Sequence, residues 1–199
     1  MKAPYKSIWV DSPDVLAIEI DHVTVYIPPG VERDLASVLS KPNPEFNIKC
    51  VGDETLSISS NQEGIKVGIA VSGSDVCTVF AILNAEQVKQ MCHAINDGGF
   101  NDIGQSLKLW FDIVFQIGAG DSDILVCADD VEKFRNYLAS SSVEMEEFEG
   151  VGGTRLKVER ENGEVLVRIG SHHSDSDCIA VLGPEKIEDA IDQIDELLQ

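Results

Sequence analysis

The chain repeats itself at a spacing of one hundred positions. Residues 51–75 and 151–175 align without a gap, and their apolar positions keep step along the whole stretch. The identical pairs in this stretch involve Val51, Gly52, Leu56, Val67, Ile69, Ser74 and Asp75. A repeat of this length constrains the fold more than any single motif, because each copy must form an equivalent structural unit. We therefore expect two tandem copies, residues 1–99 and 100–199.

Within these copies, one local pattern recurs four times: a strand, a short polar loop, a second strand and a helix. β-branched runs that are broken by Gly, Ser and Asp are typical of hairpins. The predicted strands cover residues 15–20, 23–27, 46–50, 55–59, 65–71, 78–83, 109–117, 124–128, 154–159, 165–169 and 178–182. The predicted helices cover 31–39 and 84–96, and two more begin near Asp129 and Gly183. The pattern predicts an α+β fold, each copy running about ββα-βββ(β)-α with an antiparallel sheet and helices on one face, and the copies related by pseudo-two-fold symmetry.

Three helix starts carry recognisable signals. Asn84 with Gln87, and Asp129 with Glu132, have the spacing of a capping box. In this motif the side chain of each residue accepts a hydrogen bond from the backbone N–H of the other, and both N–H groups would otherwise lack a partner. Pro184 suits the first turn of the last helix, where its missing N–H is no loss.

Charge is the strongest compositional feature of the chain. Thirty-five Asp and Glu oppose fifteen Lys and Arg, which gives a net charge of −20 and a pI near 4.3. Such a field repels nucleic acid and anionic membranes and attracts basic proteins and cations. It therefore argues against direct binding of nucleic acid. Solubility is the alternative explanation, but it needs a smaller net charge than this.

The cellular setting is inferred from cysteines and hydropathy. The five cysteines are an odd number and form no CxxC motif. Small buried thiols in a reducing cytosol explain this pattern best. No apolar run approaches the ~18 residues that a membrane span needs, and no apolar segment follows the basic N-terminus. We expect a soluble, cytoplasmic protein with no membrane partner, and the oligomeric state stays open.

The last helix has the sharpest division of chemistry in the chain. At about 100° per residue, one third of its circumference collects Ile187, Ala190, Ile191, Ile194, Leu197 and Leu198. The opposite third collects Glu185, Glu188, Asp189, Asp192, Asp195 and Glu196. Like charges at i, i+3 and i+4 repel each other, and the sequence indicates no partner that offsets this repulsion. The stripe is either a solvated helix face or a surface that binds a basic partner, with carboxylates spaced along about 17 Å.

A second acidic cluster follows the third predicted helix. Its carboxylates are Glu144, Glu146, Glu147 and Glu149. Met145 and Phe148, which interrupt the carboxylates, would supply apolar anchors for a partner. The alternative is an ordinary charged linker between a helix and a strand.

One loop carries metal-ligand chemistry. The weak candidates are His172, His173, Asp175, Asp177 and Cys178. Imidazole, carboxylate and thiol suit zinc or another transition metal. However, adjacent histidines do not easily share one ion, and Ser, Asp and Gly also close polar turns. We therefore assign no metal and no cofactor.

Other motifs are explained by structure more simply than by catalysis. Gly118-Ala119-Gly120 lacks the third glycine of a dinucleotide fingerprint and is interpreted as a turn. Cys92 and His93 are neighbours on a helix and point about 100° apart, so neither activates the other. Trp9 and Trp110 differ by one position from exact correspondence in the repeat. We interpret them as core aromatics of matching strands, and the alternative is that they line a ligand pocket between the halves.

These observations favour a non-enzymatic binding protein. Its acidic faces would occupy a basic, nucleic-acid-binding protein surface, as a nucleic-acid mimic or inhibitor of a host factor from a virus or mobile element would do. The first alternative is a small-ligand or metal-binding protein, including an enzyme, that uses the 171–178 loop and the cleft between the halves. The second is a structural protein whose copies assemble through sheet edges.

Overall fold

The fold is that of a computed structural model, which describes residues 4–52, 54–70, 78–99, 101–104, 106–120, 122–142, 144–171 and 177–199. This part of the chain holds fifteen strands in four antiparallel sheets, together with four α-helices. The predicted α+β class is confirmed. The chain divides into two compact units, which we call the continuous unit (Asp14–Asp112) and the split unit (Met1–Pro13 with Ile113–Gln199).

The continuous unit contains two sheets and two helices. Its elements are β2 (Asp14–Ile20), β3 (Val23–Tyr26), α1 (Glu32–Leu39), β4 (Glu45–Lys49), β5 (Thr55–Asn61), β6 (Gly64–Ala70), β7 (Thr78–Leu83), α2 (Ala85–Asp97), β8 (Asn101–Ile103) and β9 (Leu107–Ile113). The strand orders are β4-β5-β6-β7 and β3-β2-β9-β8. The helices pack against each other and against the first of these sheets.

The split unit follows the same plan. Its elements are β1 (Trp9–Asp11), β10 (Phe115–Ala119), β11 (Ser122–Val126), α3 (Ala128–Ala139), β12 (Met145–Glu149), β13 (Thr154–Glu161), β14 (Glu164–Ser171), β15 (Asp177–Leu182) and α4 (Pro184–Leu197), with a short 3-10 turn at Val151–Gly153. The strand orders are β12-β13-β14-β15 and β1-β10-β11. From β2 and from β10 onward, both units therefore run ββαββββα.

Each unit also contains strands from outside this run. In the continuous unit β9 lies beside β2 and β8 beside β9, whereas in the split unit β1 lies beside β10. The predicted single strand at 109–117 is therefore wrong. It is two strands, because β9 ends at Ile113, Val114 donates its N–H to the Pro13 carbonyl, and β10 begins at Phe115 in the other unit.

The repeated apolar residues form the cores. Leu56 and Val67 are fully buried in the continuous unit, and Leu156 and Val167 are fully buried in the split unit. Each pair lies on adjacent strands, on the face of the sheet that meets the helices. Because successive side chains of a strand point to opposite faces, the buried side chains recur every two residues. The repeat in the sequence is in large part a repeat of core positions.

Tight turns set the register of two hairpins. Asp21 and His22 both have positive φ and join β2 to β3, and Asn162 and Gly163 do the same between β13 and β14. Two residues with positive φ match the right-handed twist of the flanking strands, and Asn-Gly favours this turn most strongly.

The helix starts only partly follow the sequence signals. Asn84 caps α2 and exchanges hydrogen bonds with Gln87 in the predicted capping box, and Pro184 occupies the first turn of α4. The box predicted at Asp129 is wrong. The cap position is Cys127 and makes no side-chain cap, so Asp129 already lies within the first turn. A carboxylate there still favours the helix through the backbone dipole.

Candidate functional site: the acidic face of helix α4

Helix α4 is held to the split unit by one apolar face. Ile187, Ala190 and Ile194 are buried in the core, as the helical spacing predicts. The predicted apolar stripe ends early, because Leu197 and Leu198 are exposed by 36% and 37% of their surface. They lie at the end of the helix, beyond the last buried turn. These two leucines are therefore available to a partner.

The opposite face of α4 is acidic and open to solvent. Five of the six predicted carboxylates are exposed, and the sixth, Asp195, is half-buried. They project from a regular helix that is fixed by its buried face, so their spacing is set by the backbone. We call this surface the acidic face. It consists of Glu185, Glu188, Asp189, Asp192, Asp195 and Glu196.

Asp195 is paired within the split unit. The Arg135 guanidinium of α3 donates two hydrogen bonds to its carboxylate, Nε to Oδ1 at 2.8 Å and Nη2 to Oδ2 at 2.7 Å. This contact lowers the pKa of Asp195 and raises the pKa of Arg135. The expectation that no partner offsets the repulsion of the stripe is therefore wrong at Asp195. The two residues lie sixty positions apart and meet only where α3 packs on α4.

Asp189 is also paired, in this case along the helix. The Lys186 ammonium donates to its carboxylate at 2.6 Å, and this contact raises the pKa of Lys186. Both groups are about half exposed, so the pair is of the kind that adds little stability. A cationic partner could compete for Asp189 without a large penalty.

The other four carboxylates of the acidic face have no ion pair within the described residues. They are Glu185, Glu188, Asp192 and Glu196. All four are exposed to solvent. A surface of this kind gains Coulomb energy when a cationic surface replaces its counterions.

The second predicted cluster is a strand and not a linker. Residues 145–149 form β12, an edge strand that pairs with β13. Phe148 is buried and packs edge-on against Phe134, with ring centroids 5.8 Å apart. It belongs to the core and is not an anchor for a partner, whereas Met145 is more than half exposed. A charged edge strand also hinders unwanted strand pairing.

Basic residues neutralise part of this second cluster. Glu147 lies opposite Lys157 in the sheet, and its carboxylate pairs with Arg155 at 3.1 Å. On the same sheet Glu159 accepts from Lys157 at 2.8 Å and from Arg168 at 3.0 Å, and these bonds lower its pKa. Glu144 and Glu149 are exposed and Glu146 is half-buried. The cluster is therefore a mixed ionic surface, unlike the acidic face.

Most of the predicted metal-binding loop lies outside the residues that the structure describes. His172, His173 and Asp175 lie outside the described residues. Asp177 begins β15, and the Cys178 thiol donates to the Ala180 carbonyl at 3.5 Å. No group of three or more metal-binding side chains occurs within the described residues.

The thiols differ in their surroundings. Cys50 is buried, and burial raises its pKa to about 11, which keeps it protonated and unreactive at neutral pH. The prediction of buried thiols is wrong for Cys127, which is exposed and donates to Asp130 at 3.2 Å. Cys92 lies near the Ala36 carbonyl while the neighbouring His93 meets Asp97, so these two side chains diverge as expected.

The two tryptophans lie on corresponding strands, β1 and β9, but each is only half-buried. Trp9 lies against Gly118 of β10, where an added Cβ would approach the indole ring to 2.5 Å. The glycine thus makes room for the ring. The indole N–H of Trp110 donates to Asp112 at 2.8 Å.

Comparisons with protein-family models, curated proteins and solved structures find no match to this chain. The longest described helix has 14 residues, and no described helix has the length and apolar content that crossing a bilayer requires.

Proposed function

We propose that the protein is a non-enzymatic binding protein whose acidic face occupies a basic, nucleic-acid-binding surface of another protein. The observation that carries this proposal is the set of four carboxylates on the solvent side of α4 that form no ion pair with any residue the structure describes. Because the opposite side of the helix is buried, the carboxylates are held at fixed spacing before any partner binds.

The spacing of charge supports a mimic of nucleic acid. The acidic face carries six carboxylates over about 17 Å of helix, at 1.5 Å per residue, and Arg135 and Lys186 offset two of them. The four charges that remain amount to one per about 4 Å of helix axis. One strand of duplex DNA carries one phosphate per about 3.4 Å of helix axis. The two charge densities are of the same order, and a cationic groove that accepts a phosphate backbone could accept this helix. The exposed Leu197 and Leu198 would add apolar contact at its end.

The second acidic cluster has a subsidiary role in this proposal. Glu144, Glu146, Glu147 and Glu149 lie in the same unit as α4, but neighbouring basic side chains already neutralise part of their charge. The role that fits this chemistry is that of a cytoplasmic inhibitor of host defence or DNA metabolism, encoded by a virus or a mobile element.

Assembly through sheet edges receives less support. The outer edge of β1 is partly covered, because the Val10 N–H donates to the side chain of Gln193 at 3.3 Å. The edge of β15 is also covered, since Tyr5 exchanges backbone hydrogen bonds with Ile179 and Val181. Covered edges do not readily pair with a second copy.

We also propose that the two units arose by duplication of one sequence, with copies 1–99 and 100–199. The shared order ββαββββα supports this, as does a matching corner. Cys50 N–H donates to the Glu54 carbonyl at 2.9 Å, and Gly150 N–H donates to the Thr154 carbonyl at 2.8 Å. The first strand of copy 1–99, β1, lies in the unit that the rest of copy 100–199 forms. The first two strands of copy 100–199, β8 and β9, lie in the unit that the rest of copy 1–99 forms.

The main proposal is tested by neutralising the acidic face. The variant combines Glu185→Gln, Glu188→Gln, Asp192→Asn and Glu196→Gln. The control makes the same change in net charge at exposed carboxylates elsewhere and combines Asp34→Asn, Glu45→Gln, Glu161→Gln and Glu164→Gln. Tagged proteins are used to capture partners from source-cell lysate, with elution by duplex DNA and then by salt.

We expect the wild type and the control to capture a nucleic-acid-binding protein that DNA displaces, and the acidic-face variant to lose it. Equal capture by both variants would assign the binding to net charge or to another surface. Capture that neither DNA nor salt disturbs would exclude a mimic of nucleic acid.

A further inference from the structure

The continuous unit contains an open groove of about 540 Å³ at the C-terminal end of α1. Its floor is apolar and is formed by Leu39, Ile65, Leu83 and Val88. Its rim is polar and exposed and includes Lys41, Ser60 and Glu63. The volume and the combination of an apolar floor with a few polar groups are typical of a site for a small ligand or a single large side chain.

The same place in the split unit is occupied by an arginine. Ser60 pairs with Ile65 across the β5–β6 hairpin, and Arg160 pairs with Val165 across the β13–β14 hairpin. Each of the two residues lies one position before the strand end, and each hairpin lies next to the helix that precedes its sheet. Ser60 and Arg160 are therefore equivalent positions of the two units.

Arg160 shows what this position can bind. Its Nη2 donates to the carbonyls of Tyr137 and Leu138, both at 2.8 Å, in the last turn of α3. Its guanidinium also lies over the Tyr137 ring, 5.2 Å from the centroid. The final carbonyls of a helix lack partners within the helix and carry partial negative charge, so a guanidinium satisfies them well.

The continuous unit has the helix end but not the guanidinium. Ser60 replaces Arg160. This replacement removes volume, and the groove lies beside Ser60. Glu63 adds a carboxylate to the rim, while Lys41 adds a cation on a long exposed side chain.

We infer that this groove binds an arginine side chain of the protein's partner. The apolar stem would lie on the floor, as arginine stems do on apolar surfaces. The guanidinium would meet the C-terminal end of α1 and the carboxylate of Glu63. That the arginine comes from a basic protein rests on the proposed function and on the net charge of −20. Binding of the guanidinium itself does not depend on α4.

The first experiment titrates the full chain with N-acetyl-arginine amide and follows backbone amide signals by NMR. The matched probe is N-acetyl-citrulline amide, which has the same shape but no charge. We expect saturable shifts at groove residues with the arginine probe and at least tenfold weaker binding of citrulline. Equal binding of the two probes, or shifts confined to other surfaces, would overturn the inference.

The second experiment fills the groove with the residue of the other unit. Ser60→Arg should weaken binding of the arginine probe at least tenfold, because its own guanidinium takes the site. Ser59→Arg, at the neighbouring exposed position on the other face of the strand, adds the same charge and should bind like the wild type. Equal affinity of both variants would contradict the inference.

A third variant, Glu63→Gln, keeps the inference testable if Ser60→Arg fails to fold, because the Glu63 side chain is exposed and contributes no core packing. Glu63→Gln should weaken binding of the arginine probe severalfold and leave binding of the citrulline probe unchanged. An unchanged affinity for arginine would remove Glu63 from the site and contradict the inference as stated.

The groove and the acidic face are separable in this test. The fourfold acidic-face variant should retain the arginine probe, because the changes lie in the split unit. If the acidic-face variant loses the partner, and neither it nor the wild type binds the arginine probe, the groove inference fails and the proposed function stands. If the arginine probe binds at the groove but the acidic-face variant still captures the partner, the groove inference stands and the proposed function fails.

Discussion

Helices α2 and α4 hold equivalent places in the two units, yet their solvent faces differ. Each follows the last strand of a four-stranded sheet and packs on the unit's other helix. The exposed side of α2 carries two carboxylates and one lysine, with close contacts of Lys89 to Glu86 and His93 to Asp97. The exposed side of α4 carries six carboxylates and one lysine. The fold therefore needs the buried face of this helix but not the acidity of its outer face.

The outer faces of the two four-stranded sheets differ in the same way. The split unit has the ionic network around Glu159. The continuous unit has small residues at Ser57 and Gly68, together with an exposed Phe80 whose ring lies under the Lys66 ammonium. Similar cores with different surfaces indicate that the two units share a folding requirement that does not fix the chemistry of their surfaces.

The largest effect is expected when the chain is cut between or within the units. A fragment of residues 14–112 contains both sheets of the continuous unit and should fold, with cooperative unfolding in urea. A fragment of residues 1–99 lacks β9, whose Leu107 and Leu109 are fully buried, and should remain largely unfolded. Circular dichroism of both fragments is the measurement. A folded 1–99 fragment would show that β9 is dispensable and that the units are not as described.

A smaller loss of stability is expected from Arg160→Ser, which gives the split unit the residue of the continuous unit. The variant loses two hydrogen bonds from a charged donor to α3, and we expect it to lower the free energy of unfolding by about 2–3 kcal/mol. Arg155→Ser, on the exposed sheet face, is the control and should cost about 0–1 kcal/mol. Urea denaturation measures both. Equal losses would mean that Arg160 does not hold the helix end.

The smallest effect concerns the pair of Asp195 with Arg135 and depends on pH. The contact lowers the pKa of Asp195 below its ordinary value of 3.8. The pair therefore stabilises the folded state above that value, and its contribution disappears as pH falls through the lower, folded-state pKa. Wild type and Asp195→Asn should differ slightly in melting temperature at pH 7, and the difference should shrink as the pH falls below 3.8. A difference that persists in acid would have another cause.

Much of the fold could be predicted because it depends on short-range patterns. The two-residue alternation in β5, β6, β13 and β14 and the helical spacing in α4 each follow from neighbouring residues. Strand β12 has no recognisable sequence pattern, because three of its five residues are glutamates and only Phe148 is buried. An edge strand can form with so few apolar residues. The division of 109–117 into β9 and β10 was missed because no turn signal marks Val114.

The candidate site could be predicted only in part. The acidic face itself follows from helical geometry. Its pairing with Arg135 could not be predicted, since that contact requires the packing of α3 on α4. No sequence pattern predicts the groove at Ser60. The space that its small side chain leaves is recognised only when Ser60 is compared with Arg160 at the equivalent position of the other unit.

The sequence by itself determined the α+β class, most strands and helices, the buried face of α4 and the concentration of negative charge on that helix. These depend on periodicity and local backbone preference, which neighbouring residues set. Only the tertiary structure decided which strand joins which sheet, which carboxylates find a cation and where an open groove remains. These depend on contacts between residues far apart in the chain, and a pattern read along the chain does not encode which distant partners meet.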